Sequence, residues 1–198
     1  MPLISPYSDI APEKWLEETR KLVDLHPLNQ KELVEVVLLC WQSLFDSRIG
    51  TKGFRIGTDI FPKPQTMGFF LEQLTALELA TRHPDQWCAE RSAKDKDLVY
   101  VPDADFSVEI KTSSHARQVF GNRSYAQEGN TSKKSKAGYY LAVNFQKFSA
   151  SPKPQVILIR FGWLDHTDWI GQKAPTGQQA RIKPQSEATK FLTLYPQK

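Results

Sequence analysis

Cysteine is almost missing from this sequence. The two that occur, Cys40 in a helical apolar run and Cys88 beside Trp87, stand far apart, and no Cys-x₂-Cys pair exists. That pattern excludes a structural zinc knuckle and fits free thiols in a reducing compartment. Long apolar runs are missing too: no stretch approaches the roughly 20 residues needed to span a bilayer. The start Met1-Pro-Leu-Ile-Ser-Pro6 has neither a basic n-region nor an apolar h-region, so a soluble, cytoplasmic protein with no membrane partner is expected. There is no Gly-x₄-Gly-Lys-Ser/Thr loop to cradle a nucleotide and no Gly-x-Ser-x-Gly elbow for a serine hydrolase. His83, His115 and His166 show no zinc-ligand spacing, and internal repeats and low-complexity tracts are absent.

What is present suffices for one sizeable core. The chain has 198 residues, 40% of them apolar, with 5 Trp, 11 Phe and 6 Tyr, and single domains commonly reach this length. One domain over 1–198 is expected, mainly helical over about 1–90 and carrying a catalytic sheet over 95–165. The formal charge is +4 with a pI near 9.0, spread along the chain. Such a balance permits nucleic-acid binding without requiring it.

Periodicity supplies the elements. Trp15, Leu16, Thr19, Leu22 and Val23 recur at helical spacing within Pro12 to Leu25, with Ser8, Asp9 and Pro12 as start signals. Leu33, Val36, Val37, Cys40, Trp41, Leu44 and Phe45 form one face of a second helix, for which Asn29 is the candidate cap. Core packing is the first expectation for that face, and an interface between subunits the second. Gly50, Gly53, Gly57, Pro62 and Pro64 break the pattern over 46–66 and predict a long irregular excursion. A third helix is expected from Met67 to Thr81.

The second half changes character. Leu98 to Val101 and Phe106 to Lys111 are short β-favouring runs across a turn-rich linker, which predicts a hairpin. Gly138 to Phe145 and Gln155 to Phe161 are continuous apolar runs, as expected of strands covered on both faces. The fold class is therefore α/β, a mixed β-sheet flanked by helices with a helical N-terminal part. The polar stretch Ser113 to Ala137 predicts loop with a short helix, and the tail beyond Gly162 shows no clear period.

Glu109-Ile-Lys111 lies on the second strand of the hairpin. Side chains two apart in a strand share a face, so Glu109 and Lys111 stand together. Hydrolysis of a phosphodiester needs an activated water and neutralised phosphoryl charge, which carboxylates, a divalent cation and a lysine supply. A second carboxylate is required. Asp97, just before the first strand of the hairpin, is the leading choice. Asp105 is a rival, although about 13 Å away along a fully extended strand, and Asp103 is a third. Glu72 on the third helix is a candidate further metal ligand if that helix packs under the hairpin; Glu78 is a weaker one. By itself Glu-x-Lys is also what an ordinary exposed strand displays. Downstream, Ser113, Ser114, His115, Arg117, Asn122, Arg123, Ser124, Tyr125, Gln127, Lys133, Lys134 and Lys136 are residue types that contact phosphates or base edges. Asp165-His-Thr-Asp168, between Trp163 and Trp169, reads as hydrogen bonding within a loop, with an acid/base cluster as the alternative.

Several stretches together carry a resemblance. Ser5-Pro-Tyr7 with Pro12-Glu-Lys-Trp-Leu16, Asp59-Ile-Phe-Pro-Lys-Pro64 with Gly68-Phe-Phe-Leu71, Lys96-Asp-Leu-Val-Tyr100, Phe106 to Ser114, Phe120-Gly-Asn-Arg-Ser-Tyr125 and Phe161 to Ile170 resemble the ScaI-type restriction endonucleases of the PD-(D/E)xK nuclease superfamily. The resemblance implies a restriction-endonuclease-like core and a type II enzyme. Such an enzyme is a homodimer that cuts both strands of double-stranded DNA at a short palindrome, six bases with blunt ends. It implies Mg²⁺ as cofactor, with Mn²⁺ able to substitute, and a cognate DNA methyltransferase as genetic partner. It further implies Asp97, Glu109 and Lys111 as the catalytic set, with Asp97 and Glu109 as metal ligands. Two other readings remain at this point: a structure-specific repair or recombination nuclease on the same fold, and a non-catalytic DNA-binding relative.

Overall fold

Asn29 starts the central helix as its residue type predicts, its side-chain oxygen accepting from the backbone N–H of Lys31 and Glu32 at 2.9 and 3.1 Å. The computed structural model describes residues 4–127, 135–174 and 176–196. Helix α1 is Trp15–Leu25, α2 is Gln30–Asp46 and α3 is Pro64–Arg82. The first starts later than Pro12 because Pro12–Lys14 closes a separate 3-10 turn. The third starts earlier than Met67 because Pro64 stands in its first turn, where a missing N–H costs nothing. The expected excursion over 46–66 is confirmed, with isolated bridges Ile49 to Phe54 and Ile56 to Ile60.

A mixed six-stranded sheet runs β1 (Trp87–Ala89), β2 (Leu98–Tyr100), β3 (Val108–Ser113), β5 (Gly138–Phe145), β6 (Val156–Leu164) and β9 (Phe191–Tyr195) in that spatial order. Only β3 and β5 pair in parallel; the remaining neighbours are antiparallel. The sheet thus reaches beyond 95–165 at both ends. A parallel pair needs a long connection, and it carries β4 (Phe120–Asn122), which joins β8 (Gln179–Ile182) and β7 (Trp169–Gly171) from beyond β6 in a small second sheet, all antiparallel. Helix α4 (Pro184–Thr189) precedes β9.

The two faces of the main sheet have separate cores. Leu33, Val36, Val37, Trp41 and Leu44 of α2 pack with Met67 and Leu71 of α3 against Val108, Ile110, Leu141 and Val143. The apolar face of α2 is consequently interior, which removes it as an interface element. On the opposite face Tyr140 and Ala142 pack with Val119, Tyr125, Trp169, Ala180 and Ile182. In register, Glu109 faces Tyr140 and Lys111 faces Ala142, so the Glu109 and Lys111 side chains leave the strand toward the small sheet.

His26, 6% exposed, links the N-terminal helices to the sheet. Its Nε2–H donates to the Phe106 carbonyl at 2.9 Å, its Nδ1 accepts from the Leu28 N–H at 3.1 Å, and Tyr139 and Phe161 close around the ring. Burial pushes its pKa down from 6.5 to about 4, against the hydrogen bond to Phe106. Between those values the unfolded state binds the extra proton, so stability falls as pH falls from about 6.5 to 4, by ~3 kcal/mol at most. Urea denaturation of the wild type and His26→Gln across this range checks it. The variant loses that share of the slope, and parallel curves refute the assignment.

Candidate active site

The hairpin places its acidic entrance beside its second strand. Because β2 meets β3 only at Leu98 and Val108, the ladder stops there, and the Asp97 carboxylate takes over by accepting the Ile110 N–H at 2.7 Å. Lys111 Nζ then lies 3.9 Å from Asp97 Oδ2 and 2.6 Å from Glu109 Oε1, and donates to the Ile110 carbonyl at 3.1 Å. Glu109 is 2% exposed, which rules out the ordinary solvated strand face.

The rivals are elsewhere. Asp103 caps a 3-10 turn, Ala104–Phe106, by accepting the Asp105 N–H, and both carboxylates are exposed. Glu72 of α3 reaches the rim of the cluster, accepting from Thr112 Oγ1 at 2.9 Å. Burial raises its pKa from 4.5 to about 6, opposed by Lys111 and reinforced by Asp97. Glu78 instead pairs with Arg82 on α3. Burial pulls the Lys111 pKa down, but Glu109 and then Asp97 outweigh it and hold the ammonium charged.

Among the described residues no three His, Cys, Asp or Glu side chains converge as a ready metal cluster. The donor set nevertheless suits a hard divalent cation. The Lys111 ammonium, itself a cation, is ringed by Glu109 Oε1, the Ile110 carbonyl and Asp97 Oδ2, all oxygens, and Mg²⁺ commonly takes only one or two protein carboxylates and keeps its waters.

The expected DNA-contact residues divide. His115 and Arg117 are exposed on a turn closed by His115 Nδ1, which accepts from the N–H of Arg117 and Gln118 at 3.1 and 2.9 Å. Buried Asn144 and Arg160 grip that turn from below, Asn144 Nδ2 donating to the His115 and Gln118 carbonyls and Arg160 to the Arg117 carbonyl. Asn122 and Gln127 are exposed, while Ser113, Ser114, Arg123 and Ser124 are half-buried. Lys133 and Lys134 lie outside the described residues. Lys136 sits near the site, its Nζ 4.1 Å from the centre of the Tyr125 ring. Tyr125 is a correction: it is 5% exposed and donates its hydroxyl to Glu109 Oε1 at 2.5 Å, so it belongs to the carboxylate cluster rather than to an open DNA surface. A buried tyrosine must find a partner for its hydroxyl, and that was the signal available in the polar run.

Residues 5–195 match the family described as ScaI restriction endonuclease. The chain belongs to that family. Over 194 residues it is 49% identical to the type II restriction enzyme ScaI of Streptomyces caespitosus, the match spanning 96% of this chain and 85% of that protein. Among solved structures it resembles the restriction endonuclease BglI bound to its DNA recognition sequence, with a TM-score of 0.43 and 7% identity over 91% of this chain and 87% of that one. That likeness is too distant to bear on the site. Membership of the ScaI family makes the chain a type II restriction endonuclease, a site-specific deoxyribonuclease.

Proposed function

We propose that the chain cuts both strands of a short palindromic duplex, six base pairs with blunt ends, in a Mg²⁺-dependent reaction that Mn²⁺ also supports. Asp97, Glu109 and Lys111 are the catalytic set. The observation that carries this reading is the buried Glu109 carboxylate in contact with Lys111 and backed by Asp97, at 2.6 and 3.9 Å from the ammonium.

Asp97, Glu109 and the Ile110 carbonyl would hold the cation, with Glu72 as an outer contact. When bound, Mg²⁺ supplies Lewis-acid polarisation of the phosphoryl oxygens and an acidified water. The protein's own part is positional and electrostatic. Glu109 and Lys111 fix where the phosphate and the attacking water sit, and the Lys111 ammonium neutralises charge that grows in the transition state. Asp97 also holds the strand itself, through the Ile110 N–H. The turn presenting His115 and Arg117 and the exposed Asn122 and Gln127 approach the duplex, with Lys136 nearer the phosphates.

A palindrome is matched by a two-fold homodimer that offers one site to each strand. Exposed Phe69, Phe70 and Leu77 on α3 are an apolar face such a dimer can bury. Methylation of the target by a cognate methyltransferase would protect it. The test is incubation of plasmid or phage DNA with the protein and Mg²⁺, followed by sequencing of the ends. Discrete fragments with flush ends support the reading; cutting confined to junctions or mismatches overturns it.

The first carboxylate is separable by substitution. Asp97→Asn is expected to lower the cleavage rate by about 10²-fold or more, as loss of a positioned charged group does. Asp103→Asn and Asp105→Asn leave it within about two-fold, as exposed substitutions outside a site do. Rate loss in either of the latter with Asp97→Asn active reverses the assignment.

A further inference from the structure

Tyr125 stands in the 3-10 turn Arg123–Ala126 that follows β4. Its hydroxyl reaches Glu109 Oε1 at 2.5 Å, the same oxygen that Lys111 Nζ approaches at 2.6 Å. Its ring lies 5.2 Å from Lys111 Nζ and 4.1 Å from Lys136 Nζ, within the range of cation–π attraction. One side chain therefore touches the carboxylate, the lysine of the motif and a lysine of the downstream polar segment.

The ring is itself held in place. Trp169 of β7 packs on it with centroids 5.0 Å apart, and Gly121 of β4 leaves the space it fills: a Cβ there would lie 2.9 Å from Tyr125 Cδ2. The small sheet, remote from Glu109 in sequence, thus serves as the mount for a hydrogen-bond donor aimed at the active-site carboxylate.

A glutamate's terminal torsion is broad and roughly two-fold, and each donor on its oxygens narrows that freedom. Two donors on one oxygen fix the carboxylate. We propose that Tyr125 is a positioning residue of the active site, its hydroxyl fixing the Glu109 carboxylate and its ring seating the Lys111 and Lys136 ammonium groups. The proposal rests on the reading of Glu109 and Lys111 as catalytic.

Tyr125→Phe keeps the ring and its packing and removes only the donor. Groups that orient metal-binding side chains cost about 10- to 100-fold in metal affinity or activity when lost. The expected result is a fall in kcat of about that size, a higher Mg²⁺ concentration for half-maximal rate, and weaker Tb³⁺ binding by luminescence in the absence of DNA. KM for the duplex stays near the wild-type value. Tyr125→Leu, which also removes the seat of Lys136, adds a loss of specific DNA binding in Ca²⁺. Gly121→Ala, which displaces the ring and keeps the hydroxyl, lowers kcat and Tb³⁺ affinity in the same direction, and this second route stands if Tyr125→Phe fails to fold. Wild-type kcat and Tb³⁺ affinity in Tyr125→Phe, or in Gly121→Ala where the first does not fold, overturn the proposal. Failure of the wild type to cleave in either Mg²⁺ or Mn²⁺ overturns the nuclease reading instead, and the Tb³⁺ titration then decides the role of Tyr125 alone.

Discussion

Lys111→Ala is expected to slow cleavage by about 10²- to 10⁴-fold while specific duplex binding in Ca²⁺ persists. At each tenfold step of about 1.4 kcal/mol, the loss is roughly 3–5 kcal/mol of transition-state stabilisation. The size follows from where the ammonium sits. It is the cation in contact with the buried Glu109 carboxylate, 2.6 Å away, and it also faces Asp97 at 3.9 Å. Lys111→Arg is not expected to rescue, because a planar fork cannot occupy the space of a compact ammonium between Glu109 and the Ile110 carbonyl. Glu109→Gln is the companion: it keeps the volume and the Tyr125 contact, removes the charge, and falls in rate by a similar factor. Single-turnover rates at saturating protein, with Ca²⁺ gel shifts in parallel, separate chemistry from binding. Normal cutting by Lys111→Ala ends the proposed site.

How far this site was legible follows from what each residue depends on. Strand alternation, a rule with a period of two, puts Glu109 and Lys111 on one face, but Glu-x-Lys alone also suits an exposed strand, and only the burial of Glu109 separates the two. The hairpin carries Asp97 to the same place, where it accepts the Ile110 N–H. The burial of Tyr125 is not legible among its polar neighbours Asn122, Arg123 and Ser124, because the 3-10 turn, with Gly121 and Trp169 beneath it, is what points the ring inward. The fold divides along the same line. Helices α2 and α3 and strands β5 and β6 are long enough for their apolar patterns to declare them. Strands β4, β7 and β8 have three or four residues each, too short for any period, and they exist because partners distant in sequence complete them. Asn144 and Arg160 within apolar runs would read as interruptions. They are instead buried polar supports of the turn that carries His115 and Arg117.

The Asp165–Asp168 segment shows the same dependence on distant partners, and replacing Asp168 by alanine is expected to cost the protein about 3–5 kcal/mol, the usual penalty for orphaning a buried charge. Asp165 and Asp168 form a reciprocal capping box around a 3-10 turn, which is the hydrogen bonding within a loop that the sequence suggests. Asp168 does more. Its carboxylate accepts from Lys190 Nζ at 2.8 Å and from Ser186 Oγ at 2.6 Å, and Lys190 is 2% exposed. The same ammonium lies 4.3 and 4.5 Å from the rings of Tyr7 and Trp15, so the pair joins the N-terminal segment, the turn and the start of β9. Every Asp168 contact described is structural, which argues against the acid/base alternative. In Asp168→Ala the ammonium keeps its rings and loses its counter-charge. Stability of a domain this size is typically 5–15 kcal/mol, so the variant is expected to melt many degrees lower and, where it folds, to cut at the wild-type rate below that temperature. The double variant Asp168→Ala with Lys190→Met removes both charges and should recover much of the loss. Urea denaturation of the two variants decides it: a single-variant cost under about 1 kcal/mol, the range of an exposed pair, or no recovery in the double, shows that the pair does not hold these elements together.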